Sequence, residues 1–257
     1  MPRIEYGNGN WIQYKIGDCL ELMKELPDKS IDLILTDPPY NIHSLEWDNK
    51  IDWKILFGEF WRLLKNKGNI LIFGAEPMCS QIRLSQKKYR YDLIWKKSKC
   101  GSPLTAQFMP MKKHENIMVF GNPASKYYPI LTKGKPYKRK WTPIKVNNMK
   151  YGIKGVEENN KGTRYPTTIL DFPQRWRRQD QLHPTQKPIK LFRWLINLYT
   201  DEEDIVLDPF LGSGTTLLVC CMTNRNCIGF EINPDYETII RERIKADIPS
   251  IESYCKS

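Results

Sequence analysis

The chain has 257 residues, 40% hydrophobic and 27% charged, which suffices for a full core in one α/β domain with insertions. No run of about 18 apolar residues occurs, which excludes a transmembrane helix, and Met1-Pro-Arg-Ile-Glu5 lacks the apolar stretch of a signal peptide, so a cytoplasmic location is expected. The net charge of +11 is concentrated: Gly121 to Leu182 holds fourteen Lys or Arg against four acids, a net +10, leaving about +1 for the rest. Seven cysteines, an odd number with no C-x-x-C spacing, give no zinc framework or disulfide scaffold, and no metal site is expected.

Taken in chain order, Ile31-Asp-Leu-Ile-Leu-Thr36 reads as a buried parallel strand that stops at Asp37-Pro-Pro. Residues 50–66 place Trp53, Leu56, Phe57, Phe60, Leu63 and Leu64 at helical spacing, with Gly68 expected to end that helix. Strands are predicted at 69–73, 91–95 and 116–120, with a short helix around 77–87. Pro188 is expected as a first helical residue ahead of the stripe Ile189, Phe192, Leu195, Ile196 and Tyr199. Ile205–Leu207 and Cys227–Phe230 read as strands flanking an apolar helix, and Asn233 as the cap of a last helix.

The alternation implies a mostly parallel, doubly wound sheet. Between its halves, 121–182 has six prolines and no sustained periodicity, and reads as an inserted basic region outside the sheet, with aromatics such as Tyr137, Trp141 and Trp176 among the charges. That is the pattern of a polyanion-binding surface, although a solvated insertion that binds nothing has the same composition. The expected organisation is a catalytic half (1–120), the insertion (121–182) and a second half (183–257).

Two constellations carry chemistry. Asp208-Pro-Phe-Leu-Gly-Ser-Gly-Thr-Thr216 follows a strand, and its glycines allow close approach of backbone to ligand at a helix N-terminus. No Lys follows the glycines, which excludes a nucleoside-triphosphate P-loop. Glu231, ending the next strand, stands where such folds place an acid on ribose hydroxyls. Asp37-Pro-Pro-Tyr40 is the second constellation. The nitrogen of an aromatic amine is a poor nucleophile because its lone pair is conjugated into the ring. A carboxylate and a backbone carbonyl accepting its two N–H bonds draw it towards tetrahedral geometry, and an aromatic face such as Tyr40 can stack an extruded base. The two prolines stiffen the loop and remove competing donors.

With these residues in this order the chain resembles the β group of DNA amino-methyltransferases, over nearly its whole length. The motif (D/N/S)-P-P-(Y/F/W) matches Asp37–Tyr40, and D-P-F-x-G-S-G-T-T matches Asp208–Thr216. His183-Pro-Thr-Gln-Lys-Pro188 is similar to the element that precedes the cofactor motif in that group, and Gly17-Asp18-Cys19 to a loop whose acid meets the cofactor adenine. The resemblance implies a Rossmann-like, circularly permuted fold dependent on S-adenosyl-L-methionine, with the recognition region between the two halves.

It further implies catalytic roles for Asp37, Pro38, Pro39 and Tyr40. Asp37 and the Pro38 carbonyl would accept the amino hydrogens. Cofactor contacts would come from Asp18, Cys19, Asp37, Asp208, Phe210, Gly212, Ser213, Gly214, Thr215 and Glu231, with Thr185 and Lys187 near the cofactor carboxylate. Arg139, Lys140, Arg164, Arg175, Arg177 and Arg178 are candidate DNA contacts. Double-stranded DNA is the implied partner, and a homodimer and a companion restriction endonuclease are compatible with the group.

Asp at the first motif position favours adenine N6 over cytosine N4, which stays the alternative. An RNA methyltransferase and an inactive nucleic-acid-binding subunit stand behind it. No Pro-Cys nucleophile motif occurs, which argues against C5 methylation of cytosine.

Overall fold

The structure, a computed structural model, describes residues 3–7, 9–39, 51–101, 103–140, 157–173 and 187–254. It divides into two compact units, residues 1–128 with 168–257, and residues 129–167.

The larger unit is built on a nine-stranded sheet. Its elements in chain order are β1 (Ile4–Tyr6), β2 (Asn10–Ile16), α1 (Cys19–Met23), β3 (Ile31–Thr36), α2 (Trp53–Leu63), β4 (Leu64–Gly74), α3 (Met78–Ser85), β5 (Tyr89–Lys96) and β6 (His114–Gly121). The smaller unit contributes β7 (Thr132–Lys133), β8 (Tyr137–Lys140), β9 (Glu157–Asn160) and β10 (Thr163–Arg164). The larger unit resumes with β11 (Ile169–Asp171), α4 (Ile189–Tyr199), β12 (Ile205–Asp208), α5 (Thr215–Met222), β13 (Asn226–Glu231) and α6 (Tyr236–Tyr254).

The strand order is β1-β2-β13-β12-β3-β4-β6-β5-β11. From β2 to β4 every pair is parallel, and β6 then runs antiparallel between β4 and β5. All six residues of β3 and of β13 are buried, as strands covered on both faces must be. Alternate side chains divide between two helical layers. Ile34, Ile70, Ile72, Phe120 and Leu207 pack with α1, α2 and α3. On the other face Phe73 stacks on Phe192 of α4 at 5.4 Å, and α5 joins α4 and α6.

The crossovers reverse between β12 and β3: β12 leads through α5 to β13 on one side, and β3 through α2 to β4 on the other. In open α/β sheets ligands bind outside the carboxyl ends of the strands at such a switch point. The opposite, amino end is closed by a charge cluster in which Lys126 bonds Asp204, Asp201 (3.0 Å) and Asp32 (3.5 Å). One cation of the basic segment therefore serves the scaffold.

Three local expectations need correction. The helix over 53–63 ends at Leu63, not at Gly68, because Leu64 already pairs with Ile31 and opens β4. Ile169–Asp171 lies in the sheet, pairing parallel with Ile94–Lys96, although it falls within the segment expected outside it. Its three residues are too few for a period to show. Pro188 caps α4 from extended backbone and is not its first helical residue.

In the smaller unit, β8 pairs antiparallel with β9 and β7 with β10. Arg164 is engaged inside it: the guanidinium lies over the Tyr137 ring at 4.6 Å and donates to Asn160 Oδ1 at 2.8 Å and to the Lys135 carbonyl.

Gly68 shows how tightly β4 seats against β3. A Cβ there would lie 2.7 Å from the Asp32 carbonyl oxygen and from the Leu64 side chain. Gly68→Ala is expected to lower stability by about 1–3 kcal/mol through overpacking, read as a lower urea midpoint at unchanged slope.

Candidate active site

Four carboxylates stand at the ends of four adjacent strands. Asp18 follows β2, Glu231 ends β13, Asp208 ends β12 and Asp37 follows β3, in sheet order across the switch point. Burial and bonding set each one a different task.

Asp208 is buried and holds β3 to β12. It accepts from Thr36 Oγ1 at 2.9 Å, from Thr216 Oγ1 and from the Phe210 amide at 3.2 Å. Burial pushes its carboxyl up to about 7 against the lowering pull of the Thr216, Thr36 and Phe210 bonds, with Asp37 adding to the rise.

Glu231 fastens the glycine turn. Its Oε2 accepts from the Gly212 amide at 2.7 Å and its Oε1 from the Asn233 amide at 2.9 Å. Gly212 and Gly214 have φ of +54° and +79°, a conformation that favours glycine, and a Cβ at Gly212 would enter open space. From outside the turn, buried Arg243 of α6 donates to the Ser213 carbonyl (3.0 Å), Ser213 Oγ (3.2 Å) and Thr215 Oγ1 (3.1 Å). Phe210 is half-buried beside it.

Asp18 is exposed and caps α1, accepting from the amides of Leu20 (2.7 Å) and Glu21 (3.3 Å), while the Gly17 amide donates to the Glu231 carbonyl at 2.8 Å. Burial pushes the Cys19 thiol up to about 12, with Asp18 adding to the rise, so it is not a nucleophile at neutral pH.

Asp37 is held by an unexpected partner. Lys187, expected beside the cofactor carboxylate, donates to Asp37 Oδ2 and lies 3.4 Å from Glu115 Oε2, above the Phe73 ring at 5.3 Å. Glu115 pairs in turn with Lys97 at 3.0 Å. Charges alternate along Lys97–Glu115–Lys187–Asp37, with Lys187 only 7% exposed. Burial opposes the charge of Lys187, and the Asp37 and Glu115 carboxylates outweigh it, so its pKa lies above the ordinary lysine value. Glu115 is displaced downwards: burial would raise it, but Lys187 and Lys97 prevail.

The structure thus brings Asp37, Pro38, Pro39, Lys187, Asp208, Phe210, Gly212, Ser213, Gly214, Thr215 and Glu231 to one edge of the sheet, with Asp18 and Cys19 beside it. Tyr40, Thr185, Arg175, Arg177 and Arg178 lie outside the described residues. Arg139 is an exposed strand residue, and Lys140 ends the same strand, β8. Sequence reasoning missed Glu115, Lys97, Thr36 and Arg243. His-Glu at a strand start after a run of lysines is the one signal that could have pointed to the first two.

The arrangement fits S-adenosyl-L-methionine. A sulfonium suits an edge lined by carboxylates, the glycine turn leaves open space at Gly212, and Glu231 sits at a strand end suited to ribose hydroxyls.

Comparison with known proteins agrees. Residues 31–242 match the N6/N4 family described as DNA methylase, and the chain belongs to that family. It is 31% identical over 252 residues to the type II methyltransferase M.HpaI of Haemophilus parainfluenzae, covering 92% of this chain and 75% of that protein. It is 31% identical over 244 residues to the DNA adenine methyltransferase YhdJ of Escherichia coli K12, covering 86% and 78%. The M1.HpyAVI–SAM complex superposes with a TM-score of 0.60 at 25% identity, over 90% of this chain and 99% of that one. The cytosine-N4-specific PvuII methyltransferase shares the fold, with a TM-score of 0.64 at 20% identity over 96% and 93%. The protein is a DNA methyltransferase that uses S-adenosyl-L-methionine, on a mostly parallel Rossmann-like sheet.

Two measurements test the site. With a folded pKa of about 7, Asp208 keeps a proton that the unfolded chain loses above about 4; its contribution to stability therefore falls as pH rises between those values, by up to about 1.4 kcal/mol per pH unit. Asp208→Asn is expected to lack that component, so the difference between variant and wild-type melting temperatures should grow in the variant's favour from pH 4 to pH 7. Lys187→Met leaves Asp37 and Glu115 without their shared cation and is expected to cost about 3–5 kcal/mol in urea unfolding, with Glu115→Gln recovering part of the loss.

Proposed function

We propose that the protein methylates N6 of adenine in double-stranded DNA by direct transfer to a base rotated out of the helix. The observation that carries this reading is the Asp37 carboxylate, set after β3 at the switch point, followed by two prolines and paired with buried Lys187.

The bound cofactor supplies a methyl group already activated by positive sulfur, so the protein's work is to position and activate the amine. Asp37 accepts one N6–H bond and the Pro38 carbonyl the other, which frees the nitrogen lone pair for attack. The proton lost from the nitrogen then passes towards the carboxylate. Lys187 favours the charged, accepting form of Asp37 and fixes its orientation. Asp208, the Gly212–Gly214 turn and Glu231 hold the cofactor, with Arg243 bracing the turn and Asp18 bordering it. Tyr40 stacks the extruded base.

Asp at the first motif position and the adenine methyltransferase YhdJ among the relatives both support adenine. Cytosine N4 is the second reading. The basic 121–182 segment supports duplex DNA as the partner, with Arg139 and Lys140 as contacts. Relatives that carry the name of type II methyltransferases support a companion endonuclease. Among the described residues no helix is long and apolar enough to cross a membrane.

The test uses unmethylated, polymerase-made duplex DNA and methyl-labelled cofactor, followed by digestion to nucleosides. Label in N6-methyladenine is the expected result, and N4-methylcytosine as sole product would overturn it. Asp37→Ala should lower the rate by roughly 10²–10⁴-fold while cofactor binding by calorimetry is retained.

A further inference from the structure

The hairpin joining β5 to β6 rises from the catalytic edge, and beyond Lys97 it has no role in the chemistry above. Its arms are held together by the Lys97 amide on the Lys113 carbonyl (2.9 Å) and the Gly101 amide on the Lys112 carbonyl (2.8 Å). A 3₁₀ turn, Pro103–Thr105, follows, closed by the Ala106 amide on the Pro103 carbonyl at 3.3 Å.

Its composition is divided. From Lys96 to Lys113 there are five lysines and no acidic residue, all five in the arms; Lys96 pairs with Asp171 at 3.1 Å and Lys97 with Glu115 at 3.0 Å, and Lys99, Lys112 and Lys113 make the basic face of the stem. Between the arms the tip exposes large apolar side chains: Leu104 is 93% and Phe108 84% exposed, with Met109 and Met111 also exposed. Apolar side chains clustered at such exposure on a soluble protein mark an interaction surface. A basic stem beneath an apolar tip matches a duplex, which has charged phosphates outside and flat apolar base faces within.

The stem is wired to the reaction centre. Lys97 pairs with Glu115, which shares Lys187 with Asp37, so the hairpin root and the reacting carboxylate belong to one chain of ion pairs.

We propose that this hairpin is a wedge: Leu104 and Phe108 enter the DNA stack beside the target and fill the space its extruded base leaves, while the stem lysines, Lys99 and Lys113 foremost, sit on the flanking phosphates. The proposal rests on the duplex-DNA reading above but not on which base is methylated. Rotating a base out forfeits its stacking and pairing, and an apolar side chain in the gap restores part of the stacking and blocks return. Leu, Phe and Met are side chains that proteins insert between base steps, and a polar tip would not serve.

The experiment compares wild type with Leu104→Ser, Phe108→Ser and the double variant, all as full-length chains. The methylated site is first mapped with wild type on polymerase-made DNA. Two short duplexes of that sequence are then used, one intact and one lacking the base opposite the target. The double variant is expected to bind S-adenosyl-L-methionine as wild type does, and to methylate the intact duplex roughly 10²-fold more slowly, since a few kcal/mol of unstacking cost goes uncompensated. On the second duplex, where the target is already unpaired, the deficit should shrink to within a few-fold. A charge or folding defect would slow both duplexes alike.

Equal rates for variant and wild type on the intact duplex would overturn the proposal. So would an equal deficit on both duplexes, or conversion of a wild-type dimer to a monomer by the variant in sedimentation, which would give this face to a second copy. Wild type that methylates no duplex would remove the functional reading and the wedge together. N4-methylcytosine as product would remove only the adenine assignment and leave the wedge standing.

Discussion

An ammonium group buried between two carboxylates is the constraint around which the catalytic edge is arranged. Lys187 enters from the segment before α4, Asp37 leaves β3, and Glu115 comes from the start of β6, so three non-consecutive pieces of chain must arrive before any of these charges is balanced. A buried ion pair adds little net stability over an apolar isostere, but an unpaired buried charge is costly, so the arrangement selects one geometry more than it strengthens it. Phe73 beneath the ammonium, stacked on Phe192, carries the same constraint into the helical layer. Reversal of β6 matters for this reason: running antiparallel between β4 and β5, it brings its amino end, with Glu115, to the edge where the parallel strands finish.

Much of this was legible in the residues and some was not. The strand Ile31–Thr36 was readable to its last residue because four of its six residues are large and apolar, as burial on both faces demands, and Asp37-Pro-Pro marks its end. The Asp208–Thr216 turn was readable because glycine is the residue favoured at positive φ, and Gly212 and Gly214 both stand there. β2 carried no comparable signal: Asn10 and Gln13 are buried within it, and polar residues on a covered face break the pattern that identifies a strand. Gly68 resembled a helix stop because glycine does end helices, but here it permits close contact of two strands. Motifs indicated which residues gather at the edge, but not their bonds with one another. Lys187 belongs to a motif associated with the cofactor, yet its bonds are to Asp37 and Glu115.

Basic residues divide in the same way between those that hold the fold and those that face a partner. The +10 of the central segment suggests a single DNA-binding surface, but Lys126 pairs with aspartates at the far end of the sheet and Arg164 braces its own small unit. Lys99, Lys112 and Lys113 of the β5–β6 hairpin lie outside that segment, at the edge where the chemistry is, while Lys96 and Lys97 beside them are held by Asp171 and Glu115. Net charge locates a polyanion partner only after the internally committed cations are set aside.

The bond from Thr36 to Asp208 joins residues 172 apart, because the strand that leads to the reacting carboxylate lies beside one made late in the chain. At the usual 5–20 residues per second, a ribosome needs on the order of 10–30 s to pass from one to the other. Through that interval β3 has β4 on one side and an open hydrogen-bonding edge on the other. The nascent chain therefore carries its reactive motif long before the glycine turn and Glu231, the later part of the cofactor edge, have been made. The same delay leaves an apolar strand edge unpaired during synthesis, so yield in the cell should depend on how quickly the carboxy-terminal quarter follows, and rare codons in that stretch should reduce soluble protein more than rare codons near the start.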